Sequence, residues 1–255
     1  MKRRQLIGYA GAGLVTTLIT CLSKQDRAIA QTDTSLSVKF LGHTSFLFIG
    51  SGLRLLANPF RTIGCTAKYQ SPKVPADVVL ISSQLLDEGA VDGLPGNPKI
   101  VYQPGVNDFK GFKFQGVAID HDRIGGKRFG TNVIWKWKQG NINIVHMGGA
   151  AAQLSIEQKI LIGRPDIAFI PVGGSGKAYN AEEAKKAIQI LNPRIVVPTH
   201  YRTEAADPAL CDISPIDEFL KVMEGTPVKR SGDTMTVTSG SLPESTTIQV
   251  MDYKF

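Results

Sequence analysis

The sequence predicts an α/β (α+β) fold, two layered sheets in one domain, and three observations carry that expectation. Apolar runs of strand length, such as Val78-Val79-Leu80-Ile81 and Ile167-Ala168-Phe169-Ile170, stop abruptly at polar turns, as strands covered on both faces do. Only short stretches carry helical spacing, and they sit between strands. The 255 residues, less a leader, suffice for one sizeable core. In layered folds of this kind the strand ends carry the chemistry, which directs attention to Asp77–Glu88, where the apolar run meets Ser82, Ser83, Asp87 and Glu88.

The first thirty residues read as an export signal and residues 31–255 as the single mature domain. Met1-Lys2-Arg3-Arg4 opens a basic segment, Gly11 to Leu22 is mildly apolar, and Ala28-Ile29-Ala30 fits a small-residue cleavage site before Gln31. The paired Arg3 and Arg4 indicate a twin-arginine route, hence a periplasm or a thylakoid-type lumen. The apolar stretch is shorter than the ~20 residues of a membrane span, so no stable span is expected after cleavage. Four of the formal +7 charges lie in this leader (Lys2, Arg3, Arg4, Lys24 and Arg27 against Asp26), and the remaining +3 does not indicate a nucleic-acid binder. Cleavage removes Cys21 and leaves Cys65 and Cys211, either a disulfide in an oxidising compartment or two separate thiols.

After a polar linker from Gln31 to Thr34, Leu36–Leu41, Thr44–Ile49 and Leu53–Ala57 read as strands, with Gly50-Ser51-Gly52 as a hairpin turn. The strand to Ile81 follows a loop, and further strands are expected at Lys99–Gln103, Phe112–Asp120 and Thr131–Lys138. The last alternates Val133, Trp135 and Trp137 against Ile134, Lys136 and Lys138, a half-exposed pattern with both tryptophans in the core. Ile142–Val145, Asp166–Pro171 and Arg194–Pro198 complete the central strands. Asn180 with Glu183 forms a capping-box pattern opening a helix that ends at Asn192-Pro193. Ile213–Met223 reads as a second helix, and three short strands lie between Pro227 and Met251. The glycine-rich Val172-Gly173-Gly174-Ser175-Gly176 lacks the Walker and dinucleotide spacings and reads as a site-rim loop.

Taken together and in order, the strand-end motifs resemble the metallo-β-lactamase fold, and within it the L-ascorbate-6-phosphate lactonase-like branch. They are Gly42-His43-Thr44-Ser45-Phe46, Leu55 to Phe60, Ser82 to Glu88, Ile119-Asp120-His121-Asp122, His146-Met147-Gly148-Gly149, the Val172–Gly176 loop and Thr199-His200-Tyr201. The resemblance covers Leu36 to Val237. It implies a four-layer αββα sandwich in which Asp87, His121 and His200 converge. Where the family reads Thr-His-x-His-x-Asp-His, this chain has Ser83, Leu85 and Glu88 in place of histidines, and only Asp87 matches. Asn58 replaces an Asp of the branch, and Gly149 stands where the family's Asp bridges two metals.

The family's hydrolases use two zinc ions to turn bound water into hydroxide, which needs a full ligand set. Here positions 87, 121 and 200 match, and positions 83, 85, 88 and 149 do not. The expectation is a scaffold that binds a small molecule or a protein, holds no metal cofactor and does not hydrolyse by the two-zinc route. Asp87, His121 and His200 remain the candidate catalytic residues. The alternative is a divergent hydrolase of esters, lactones or phosphodiesters with one divalent Zn, Mn or Fe on Asp87, Glu88 and His200, with His121 as a further ligand. His43 and His146 are assigned to support behind the ligands. A metal-free Ser83 nucleophile lacks any elbow motif around it.

Overall fold

In the computed structural model, which describes residues 35–254, the strands assemble into two sheets. The export signal, the cleavage site and the linker from Gln31 to Thr34 lie outside the described residues. One sheet contains β1 (Ser35–Gly42), β2 (Ser45–Gly50), β3 (Leu53–Ala57), β4 (Val78–Leu80) and β5 (Lys99–Val101), with β13 (Thr234–Thr238) beyond β1. The other runs in the order β12 (Val228–Ser231), β14 (Thr247–Met251), β11 (Ile195–Thr199), β10 (Ile167–Pro171), β9 (Ile142–His146), β8 (Thr131–Gln139), β7 (Phe112–Asp120) and β6 (Gly105–Phe109). All described residues belong to the unit Thr32–Phe255. Among them no helix is long and apolar enough to cross a membrane.

The sequence pattern explains how the layers stack. In β1, Leu36, Val38 and Phe40 alternate inward and meet Phe46 and Phe48 of β2, while Trp135, Trp137, Ile144 and Phe169 approach from the opposite sheet. Burying each such large apolar side chain stabilises the fold by about 1.5–3 kcal/mol, so this inter-sheet layer is the main core. The pleat of β10 splits its run: Ile167 and Phe169 face the other sheet, while Ala168 and Ile170 face the helices. That is why it reads as continuously apolar. Two side chains of β8 stitch the sandwich. Trp135 donates its indole N–H to the carbonyl of Ile81 (3.0 Å), and the amide of Gln139 donates to the carbonyls of Gly50 (3.0 Å) and Leu53 (2.9 Å).

The three α-helices among the described residues, α1 (Ile156–Ile162), α2 (Ala181–Leu191) and α3 (Ile216–Val222), pack on the eight-stranded sheet through Ile162, Ala184, Ile188, Leu191 and Phe219. The outer face of the six-stranded sheet, Leu56, Val79 and Ile81, is covered by loop residues including Val74, Val91 and Leu94. The second outer layer of the expected αββα arrangement is therefore built largely of loop here. The capping box of α2 is present as read, Asn180 Oδ1 accepting from the Glu183 N–H at 2.9 Å and Glu183 returning the bond to the Asn180 N–H at 2.9 Å. The β8 strand departs from the half-exposed expectation. Ile134 is fully buried beneath the helical layer, and Lys136 reaches out to the carbonyl of Leu161 (3.0 Å).

Candidate functional site

The site lies where the strand ends of both sheets meet. Asn58, in the left-handed region at φ 45°, accepts the Ser82 N–H through its side chain (2.8 Å) and donates its own N–H to the Leu80 carbonyl (2.9 Å). Asn58 thus fixes the exit of β4. Beyond it a single turn forms, with the Glu88 N–H on the Leu85 carbonyl at 3.0 Å. That turn aims Asp87 and Glu88 in different directions.

Asp87 faces His43 and His200. A donor atom from each of these three lies within 4.8 Å of the other two, and the two imidazole rings sit 4.4 Å apart, tilted by 45°. Among the described residues, Nε2 of His43 and Nδ1 of His200 have no hydrogen-bond partner, although both rings are buried. Glu88 turns the other way. It is fully buried, accepts from the Ser83 hydroxyl (3.1 Å) and faces Nε2 of His121 at 3.6 Å. The one-metal alternative draws on Asp87, Glu88 and His200, with His121 as a further ligand. Asp87 and His200 join His43, which the sequence places in support, whereas Glu88 and His121 face each other at 3.6 Å. His146 does sit behind the site: its Nε2–H donates to the Thr44 carbonyl (2.9 Å), and its Nδ1 accepts from the Gly148 N–H (3.2 Å).

Sequence reasoning missed Lys177. It follows the glycine-rich loop, and its ammonium donates to the Asp87 carboxylate. The only hint in the sequence was a cation directly after Gly-Ser-Gly. The loop is fixed by Arg123, whose guanidinium donates to the carbonyls of Ser175 and Ala178 (2.8 Å each) and forks onto Glu183. Arg123 itself leaves a nest of four backbone N–H groups closed around Asp122, so the basic loop after His121 is ordered by its own acid. Lys177, His43, Asp87 and His200 line a cleft of about 550 Å³ with Leu85 and Phe129 on its apolar wall.

Burial raises the Asp87 carboxyl, but the facing His43 ring and the Lys177 ammonium outweigh it and hold the group well below the usual carboxylate range. Burial, reinforced by the charge of Asp87, pushes Glu88 up to about 8. Burial and the nearby Lys177 charge lower His121 to about 4, and burial with the charge of His43 takes His200 well below its ordinary value. Burial thus favours the protonated form of Glu88 and the neutral forms of His121 and His200, beside the ion pair of Asp87 with Lys177.

Residues 37–200 match the family model for the β-lactamase superfamily domain. The chain belongs to that superfamily. It is 30% identical over 201 residues to a UPF0173 metal-dependent hydrolase of Thermococcus onnurineus, covering 68% of this chain and 89% of that one. It is also 30% identical over 196 residues to a relative of the same name from Pyrococcus abyssi, covering 66% and 85%. A solved structure described as a zinc-dependent hydrolase of the metallo-β-lactamase superfamily, from Thermotoga maritima, superposes with a TM-score of 0.69 at 26% identity, covering 86% of this chain and all of that one. None of these three is named a lactonase.

The superfamily's metal can be tested against the residues present. The two-metal arrangement does not fit. Leu85 offers no lone pair, Ser83 is committed to Glu88, and a Cβ at Gly149 would overlap Nε2 of His121 and lie 2.9 Å from both Glu88 Oε1 and the Lys177 carbonyl. A single metal does fit His43, Asp87 and His200, three donors of the kind that leave zinc an open fourth position. Nε2 of His43 and Nδ1 of His200, without hydrogen-bond partners as are both ring nitrogens of His121, are the structural sign of that fit.

Proposed function

We propose that this protein is an exported, non-hydrolytic member of its superfamily that uses the cleft beside Asp87 to bind a small molecule or a protein segment. The observation that carries the reading is the packing at positions 83, 88, 121 and 149. Glu88, Ser83 and His121 fill one metal position, and the glycine at 149 leaves no carboxylate and no space for one. Without those ligands neither a second metal nor a bridging hydroxide has a holder. The Cys65–Cys211 disulfide, the kind of bond that persists outside a reducing cytosol, supports an oxidising compartment. Purification without chelator, followed by elemental analysis and assays on lactones and phosphodiesters, tests the reading. Substoichiometric metal and no turnover are expected. Two tightly held zinc ions per chain, or turnover abolished by His200→Ala, would overturn it.

The unpartnered nitrogens of His43 and His200 favour a second reading, a hydrolase with one divalent metal on His43, Asp87 and His200. The word hydrolase in the names of the relatives points the same way. Such an ion would supply a Lewis acid and an acidified water. Of this chain's residues, Lys177 and Phe129 would then orient a substrate in the cleft. One equivalent of metal with turnover that survives His121→Ala would select it.

A further inference from the structure

We infer that Lys177 is the resident cation of this site, a tethered ammonium that neutralises Asp87 and competes with any divalent metal for the His43–Asp87–His200 donors. The inference rests on the single-metal fit described above. Asp87 is the only anionic member of that donor set, and its carboxylate carries the Lys177 ammonium. Both side chains are largely withdrawn from solvent, at 22% and 18% exposure, so water screens the pair weakly. A metal bonded to Asp87 at ~2.0–2.2 Å would lie beside a like charge whose one ion pair among the described residues is with Asp87. The metal therefore enters only by displacing the ammonium.

The backbone shows that this arrangement is built in. Gly149 lies against the Lys177 carbonyl, since any Cβ at 149 would stand 2.9 Å from that oxygen. The loop preceding Lys177 is wedged equally tightly on its other side, where a Cβ at Gly173 would run into the His200 carbonyl. Arg123 clamps the loop through Ser175 and Ala178. The glycine at 149 thus leaves room for the backbone of the loop that brings the Lys177 ammonium to Asp87.

Zinc is titrated into chelator-free full-length mature protein and into Lys177→Met, Lys177→Ala and Lys177→Met/Asp87→Asn, with affinity read by competition against a metal-chelating dye. Removing the ammonium is expected to tighten binding of one zinc at least about tenfold, and the added Asp87→Asn change to abolish the gain. Both single variants are checked by thermal melting. A measurement on the unaltered protein does not depend on them: labelling of Lys177 by an amine-acylating reagent, followed by mass spectrometry, is expected to rise at saturating zinc as the ammonium leaves Asp87. Unchanged or weaker zinc affinity in the folded variants, or labelling that zinc does not alter, would overturn the inference. Two tight zinc ions in the unaltered protein would instead overturn the non-hydrolytic reading, so the two failures are distinguishable.

Discussion

The backbone N–H of His200 donates to the carbonyl of His43 at 3.0 Å, and both histidines sit in the left-handed region, at φ 50° and 56°. This one bond joins the ends of β1 and β11, strands from opposite sheets, and brings the imidazoles to 4.4 Å of each other, tilted by 45°. A non-glycine residue pays about 1 kcal/mol or more for such a φ. His43→Gly is therefore expected to be about 1 kcal/mol more stable than His43→Ala, although both lack the ring. Urea unfolding of the two variants checks this; equal stabilities would show that the turn relaxes out of the left-handed region.

Gly149→Asp does not restore a metal bridge. The new side chain meets His121, Glu88 and the Lys177 backbone, so a loss of about 3 kcal/mol or more is expected. Adding Lys177→Ala should recover little of it, because the obstructing atom of residue 177 is its carbonyl. Thermal melts of the single and double variants decide the point, and a Gly149→Asp protein as stable as the parent would contradict the packing described.

His146 makes the fold sensitive to acid. Its ring is fully buried and is lowered to about 4 by that burial. In the unfolded chain the ring protonates near its ordinary value of about 6.5. The unfolded state therefore binds the extra proton first as pH falls. Stability from this group is complete above about pH 6.5 and is lost progressively toward about pH 4, at no more than about 1.4 kcal/mol per pH unit. His146→Phe should flatten that slope whatever it costs at neutral pH. Unfolding free energies measured across the range provide the check, and an unaltered slope would assign the acid sensitivity elsewhere.

The Cys65–Cys211 disulfide closes a loop of 146 residues in sequence, and Cys65 is part of the wall of the cleft. Reduction is expected to cost about 2–4 kcal/mol and to loosen the rim before the inter-sheet core. A melting temperature indifferent to reductant in the folded protein would refute this.

The parts of the fold legible in the sequence were those whose burial alternates or runs without interruption. The strand Phe112–Asp120 and the capped helix ending at Leu191 were read directly. The helix α1 was not, because its Ile156, Ile160 and Leu161 face solvent and only Ile162 is buried, so no apolar stripe marks it. The edge strand β6 was missed for the same reason, carrying Asn107 and Asp108 where a buried strand would be apolar. In the site, Asp87, His121 and His200 could be found because they match the strand-end motifs that carry the family resemblance. How they divide could not, since the turn at 85–88 sends Asp87 and Glu88 apart. Lys177 lies 90 positions from Asp87 in a loop without periodicity, and nothing local signals that their charges meet.

The bonds that β8 throws across the core, Trp135 to the Ile81 carbonyl and Gln139 to those of Gly50 and Leu53, act as rivets at two points along the sandwich. Sliding one sheet over the other would strand buried donors and acceptors at both. The frame under the cleft is therefore stiff, and a bound guest can be accommodated only by the rim: the disulfide-bonded loops, the Lys177 loop and the Arg128–Phe129 corner. Amide hydrogen exchange should divide along that line, with ligand-dependent changes in the rim and none in β8 or β10.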